Sequence, residues 1–265
     1  MWRIAQIVLF CLLYSNWLSA QLLIPQDEEK QFAHFLLGLE HQTPAQQAEQ
    51  IGELLAKAEQ NNATSRFLTL AEKYLYDPNS PVKNEEAYIG ALEVMSTTSL
   101  YDEWERVRPQ SQLTMALKNR MGTIATDFRY VTKNGSRGSL HALKAKYILL
   151  FINNPGCPAC KDIREQISAS AMLTQLIDQG VIKVLALYPD EDLKEWYDYQ
   201  PNMPDNWINS YDKELAMRNK ELYDLRAIPT LYLLDEHKMV LLKDCMSIPA
   251  IEQVIYYRDY YNQQQ

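Results

Sequence analysis

The residues best placed to do chemistry are two cysteines separated by two residues, in Asn153-Asn154-Pro155-Gly156-Cys157-Pro158-Ala159-Cys160. A pair so spaced can close a disulfide within one helical turn. The segment lies between a continuous apolar run, Tyr147 to Ile152, and a stretch of helical character that begins at Cys157. At a helix start, Cys157 would lie beside backbone N–H groups that have no intrahelical acceptor and at the positive end of the helix dipole. Both favour thiolate over thiol, and the thiolate is the nucleophile of disulfide exchange. Lys161 and Arg164 add positive charge nearby. Cys160, deeper in the turn, could then attack a mixed disulfide formed at Cys157. Cys157 and Cys160 are therefore the candidate catalytic residues and the candidate redox disulfide.

Other uses of such a pair make different demands. A zinc site needs about four ligands. The rest of the chain offers Cys245, His34, His41, His141 and His237, with no second ligand pair at metal spacing, so no metal is expected. A purely structural disulfide closing so short a loop would stabilise little. A peroxide-reducing cysteine would want a preceding threonine, and Asn154 stands three residues before Cys157. No cofactor is expected. Cys245, alone after an expected strand, reads as a small buried hydrophobe, with a third redox thiol or intermolecular pairing as the alternative.

A second signal is Ala227-Ile228-Pro229-Thr230, just before an apolar run. Proline at the edge of a sheet often marks a cis bond.

The elements around these residues change character along the chain. From Gln26 to about Met121 the periodicity is helical. Thr43, Pro44 and Gln46 make a capping box, followed by Ile51, Leu54, Leu55 and Ala58 on one face, and Asn61-Asn62 ends that helix. A second helix spans Thr64 to Tyr76, and Asp77 to Pro81 breaks the chain. Further helices are expected near 84–96, 100–107 and 109–121. After Met121, a short strand at 127–131 and a turn at Asn134-Gly135 precede the buried strand 147–152. Helix to about Gln179, a buried strand 181–188, a polar Trp- and Tyr-rich stretch 189–223 with helical pieces, a hairpin 230–235/239–243 and a last helix 248–260 complete the pattern. The fold class predicted is α/β: a mixed sheet flanked by helices in the C-terminal half, with an all-α N-terminal domain.

The order strand, CxxC, helix, strand, Ile-Pro-Thr and hairpin resembles the thioredoxin superfamily. Within it, Asp127-Phe128, Asn134-Gly135, Ser139-Leu140 and Lys146 resemble the N-terminal hairpin of exported thiol–disulfide oxidoreductases of the TlpA/ResA type. The resemblance covers roughly 126–261. The preceding half resembles an uncharacterised helical region that accompanies such domains in some envelope proteins. The resemblance implies a cis Pro229 against the cysteines, with the Ile228 backbone pairing with substrate, so Ile228 and Pro229 are the candidate substrate-binding residues. Departures from the family are equally plain. Gly156 stands where thioredoxins usually carry tryptophan, Phe151 where they bury an aspartate, Ile163 where ResA-type proteins have a glutamate, and Glu165 where the helix-kinking proline falls. The missing buried acid would have helped move a proton from the resolving thiol; Asp162 or Glu165 are the residues to consider in its place.

The chain has 265 residues, a net charge of −8 and 47% hydrophobic residues, which suits two modest domains and argues against nucleic acid as a partner. Residues 1–20 read as a signal peptide: Arg3, an apolar core at Ile7 to Leu13, and Leu18-Ser19-Ala20 before Gln21. The expected organisation is signal peptide 1–20, helical domain 21–122 and thioredoxin-like domain 123–265. The expected location is the periplasm or cell envelope, with no stable membrane span after cleavage. The resemblance implies protein thiol or disulfide substrates, an unknown redox partner and a role as reductant or isomerase. The alternative is a non-catalytic binding protein on the same scaffold whose helical domain docks a partner.

Overall fold

The computed structural model describes residues 26–39, 42–60, 63–77, 80 and 82–261. The expected signal peptide, 1–20, lies outside these residues, as do Asn61, Asn62, Pro78, Asn79 and Pro81 of the expected breaks. The chain divides into two compact units, Met1–Thr114 and Met115–Gln265.

The first unit is helical: α1 Gln26–Leu37, α2 Pro44–Gln60, α3 Thr64–Ala71, α4 Glu85–Thr97 and α5 Glu103–Ala116, which crosses the division. The capping box at α2 forms, with the Gln46 N–H donating to Thr43 Oγ1 at 3.4 Å and the Thr43 N–H to Gln46 Oε1 at 3.0 Å. Ile51, Leu55 and Ala58 are buried, as their spacing requires. Gly90 of α4 lies against the carbonyl of Ala48, leaving no room for a Cβ. The second expected helix continues past Ala71 as a π-helical turn, Glu72–Tyr76. Two helices expected at 100–107 and 109–121 are one helix, α5, with Pro109 inside it. The missing proline N–H removes one hydrogen bond, but a second capping box, Asp102 with Glu105, sets the start, and the Pro109 ring is buried.

The second unit is built on a seven-stranded mixed sheet. Its strands are β1 Arg129–Thr132, β2 Arg137–Ser139, β3 Tyr147–Ile152, β4 Ile182–Tyr188, β5 Ile208–Tyr211, β6 Thr230–Asp235 and β7 Val240–Leu242, in the order β2-β1-β5-β4-β3-β6-β7. The helices are α6 Pro158–Ala169, α7 Ala171–Asp178, α8 Leu193–Tyr199, α9 Ala216–Asn219 and α10 Ile248–Tyr261. β3 lies between parallel β4 and antiparallel β6, and every one of its residues is buried. Its odd-numbered side chains pack with Ile163, Ile167, Leu173, Ile251 and Ile255 from α6, α7 and α10. The even-numbered ones pack with Phe128, Tyr223 and Tyr232 on the other face. A strand covered on both faces has no polar side to show, which is why its sequence is a continuous apolar run.

β5 has no counterpart in the expected pattern. Two of its four residues, Asn209 and Ser210, are polar and buried. Their side chains donate to the carbonyls of Pro204 and Ala186, at 3.1 and 2.9 Å. The segment Ala116–Gly122, expected with the helical region, hydrogen-bonds into the second unit: Lys243 donates to the Ala116 carbonyl, Asn119 to the Leu222 carbonyl and the Gly122 N–H to the Val240 carbonyl.

Candidate active site

β3 ends at Ile152, and the chain turns through Asn153 to Gly156 before α6 begins. Asn153 N–H still pairs with the Leu187 carbonyl of β4 at 3.0 Å. The Asn154 amide donates to Asp190 at 3.0 Å, and Arg218 pairs with the same carboxylate. This ties the loop to the chain that leaves β4. Gly156 has φ +70°, a left-handed conformation natural to glycine. A Cβ placed there would meet Glu195 Oε1 of α8 at 3.5 Å.

Cys157 is the N-cap of α6 and Pro158 occupies the first turn, where a missing N–H costs nothing. Cys157 Sγ accepts from the Cys160 N–H at 3.1 Å, in the role that a serine or aspartate oxygen usually fills. The two cysteines are joined in a disulfide, with Cα atoms 5.2 Å apart. Cys157 is half-buried, whereas Cys160 is 3% exposed and packs in the apolar cluster with Phe151, Ile163 and Trp207. An attacking thiol at the surface and a resolving thiol beneath it is the arrangement that two-step exchange requires.

Ile228 and Pro229 lie across from the pair. β6 is antiparallel to β3 with Ile152 opposite Thr230, so the loop leaving β3 and the loop entering β6 adjoin. The Ile228–Pro229 bond is cis, and the Ile228 carbonyl oxygen lies 3.8 Å from Cys157 Sγ. Upstream, Arg226 forks onto Asp224, its Nε 3.0 and 2.9 Å from the two carboxylate oxygens. Burial raises the Asp224 pKa, but hydrogen bonds from Arg226 outweigh it and hold the carboxyl below its ordinary value. Downstream, Thr230 Oγ1 bonds Asp244 at 2.9 Å, and the Cys245 N–H donates to Leu231 at 3.1 Å.

The acids considered as replacements for a buried aspartate point elsewhere. Asp162 and Glu165 are both exposed, and Glu165 sits between Lys161 and Arg164 at 3.8 and 3.6 Å. Cys245 is half-buried and not disulfide-bonded, and burial pushes its thiol pKa up. Among the described residues, no three His, Cys, Asp or Glu side chains are grouped as metal ligands, and no helix is long and apolar enough to cross a membrane. Glu195, Asp190 and Asp224 had no signal in the sequence, because each reaches the site through loops whose course the motifs do not fix.

Comparison with known proteins adds two kinds of match. A family model described as thioredoxin-like matches residues 145–240, and one described as a domain of unknown function, DUF5106, matches 18–119. A solved structure of a thioredoxin-like protein from Bacteroides caccae is 42% identical, with a TM-score of 0.83, over 89% of this chain and 86% of that one. The C-terminal domain of an uncharacterised protein from Bacteroides fragilis is 48% identical, with a TM-score of 0.51, over 52% of this chain and 98% of that one. A search of curated proteins finds no match.

Proposed function

Since this chain belongs to the thioredoxin-like family, we propose that it is an exported protein thiol–disulfide oxidoreductase working through Cys157 and Cys160. The observation that carries the reading is the setting of Cys157 Sγ, which accepts the Cys160 N–H at the start of α6 and lies beside the Ile228 carbonyl. In the reducing direction, the Cys157 thiolate attacks one sulfur of a substrate disulfide. A mixed disulfide forms and the other substrate sulfur leaves as a thiolate. Cys160 then gives up its proton and attacks Cys157 Sγ. The second substrate thiolate leaves, and the Cys157–Cys160 bond is restored. Two electrons and two protons pass from the pair to the substrate, and a separate dithiol reductant must renew the pair. An isomerase would return the mixed disulfide to another thiol of the same client. In this reading the backbone at Ile228 and Pro229 holds the client chain, the helical unit before Met115 accompanies the redox domain, and the protein acts in the periplasm or cell envelope.

Equilibration of the full chain in graded thiol buffers, followed by mass analysis after alkylation, tests the reading. A two-electron transition near ~−270 mV fits a reductant and one near ~−120 mV an oxidant. If no disulfide between these cysteines forms at any poise, the proposal is wrong. The Cys160→Ser variant should trap clients as mixed disulfides and Cys157→Ser should not.

A further inference from the structure

Away from the cysteines, a cavity of about 510 Å³ is lined by Arg129, Tyr130, Val131, Arg137, Gly138, Ser139, Lys213 and Glu214. Its size falls within the range of small-molecule sites. β5 runs parallel to β4 and β3, with Tyr211 beside Tyr188 and Leu187 beside Ile152, so Lys213 follows the same strand ends as the cysteine loop does. β3 and β1 are three strand spacings apart, roughly 14 Å within the sheet. The cavity is therefore separate from the redox pair.

Its charges are unusual for this chain. The register sets Arg129 opposite Ser139 and Val131 opposite Arg137, so both arginines project from one face as diagonal neighbours. Two adjacent guanidinium groups repel, yet neither is paired with a carboxylate among the described residues, and Lys213 is also unpaired. This occurs in a protein that carries 34 acidic residues against 26 lysines and arginines. Tyr130, which alternates with Arg129 and Val131 along β1 and stands opposite Gly138, projects to the other face, where its ring packs on Gly138 beside Phe128.

Arginine and lysine offer donors, and two guanidinium forks match the geometry of carboxylate or phosphate groups. Val131, on the same face as the arginines, adds apolar wall. We infer that this cavity binds a small polyanion, a molecule carrying at least two carboxylate or phosphate groups on a compact frame. Glu214, which also lines the cavity, sets one negative charge against the three cations.

The test is calorimetric titration of the full chain with inorganic pyrophosphate and, separately, with citrate, at low and at physiological salt. Saturable binding that weakens with salt is expected, and the better probe tells whether phosphate or carboxylate is preferred. The double variant Arg129→Gln/Arg137→Gln should bind at least about tenfold more weakly, since charge-assisted hydrogen bonds are lost. Tyr130→Phe, changed on the other face of the hairpin, should leave binding unchanged. Both arginines are exposed and unpaired, so the variant should keep its melting temperature and its Cys157–Cys160 redox equilibrium. Absence of saturable heat with either probe up to about 10 mM, or unchanged affinity in the double variant, would overturn the inference.

Discussion

The sulfur of Cys157 lies 3.8 Å from the carbonyl oxygen of Ile228, 71 positions along the chain. The approach follows from sheet register: Ile152 and Thr230 are paired on antiparallel β3 and β6, so the loops beyond them share one edge. A client strand bound along Ile228 would therefore present its own sulfur to Cys157. Cys245 is tied to the same strand through Leu231 but is set differently. Its thiol is half-buried and titrates above its ordinary value, because burial disfavours the thiolate.

This contrast predicts an order of reactivity. In the reduced protein near neutral pH, iodoacetamide should modify Cys157 well before Cys245, because only thiolate reacts. A mass-spectrometric time course would measure it. Equal or faster labelling of Cys245 would mean that the helix start does not activate Cys157.

The Asp224–Arg226 pair braces the chain just before Ile228, and its contribution should depend on acidity. Asp224 titrates below its ordinary value, net of an opposing burial effect. A depressed carboxylate contributes stability that is whole above about pH 4 and is lost as pH falls through the folded-state value. Arg226 is 45% exposed, so Asp224→Asn should cost only about 0.5–1 kcal/mol at pH 7. Thermal melts of both proteins from neutral to acid pH should converge at the acid end. A gap that holds constant would show that the pair is not its source.

Gly156 predicts a backbone effect without a steric one. At φ +70° an L-residue is strained by about 1–2 kcal/mol, while the nearest atom to an added Cβ, Glu195 Oε1, is at ordinary contact distance. Gly156→Ala should thus lower the unfolding free energy by that amount, read as a lower urea midpoint with an unchanged m-value. No change in midpoint would mean that the loop adopts another conformation at no cost.

Much of this could be read from residue types. The capping box at Thr43, the buried run of β3 and the placement of CxxC at a helix start are local signals with local causes, and each is found in the fold. Where burial is satisfied by hydrogen bonds rather than by apolar side chains, the signal vanishes. Asn209 and Ser210 make β5 look like loop, yet both are covered and bonded. Pro109 looked like a boundary because its local cost is real, but a capped and partly buried helix tolerates it. The approach of Glu195 to Gly156, and the clustering of Arg129, Arg137 and Lys213, depend on register and on loop paths that only the assembled sheet defines.

The last prediction concerns the proton that must leave Cys160. That thiol is 3% exposed and shares an apolar cluster with Phe151, Ile163 and Trp207; Phe151 meets Trp207 edge-to-face, with centroids 6.1 Å apart. Asp162 and Glu165 lie on the exposed side of α6. With neither acid of α6 facing inward, we expect the proton to leave through water that enters as the mixed disulfide opens the Cys157 side. Resolution should then track hydroxide, rising by about tenfold per pH unit until the Cys160 thiol titrates. Asp162→Asn and Glu165→Gln should leave its rate unchanged. The measurement is the decay of a Cys157–peptide mixed disulfide, quenched by alkylation at a series of pH values. A flat pH profile, or a loss of about fivefold or more in either variant, would show that a side chain carries the proton after all.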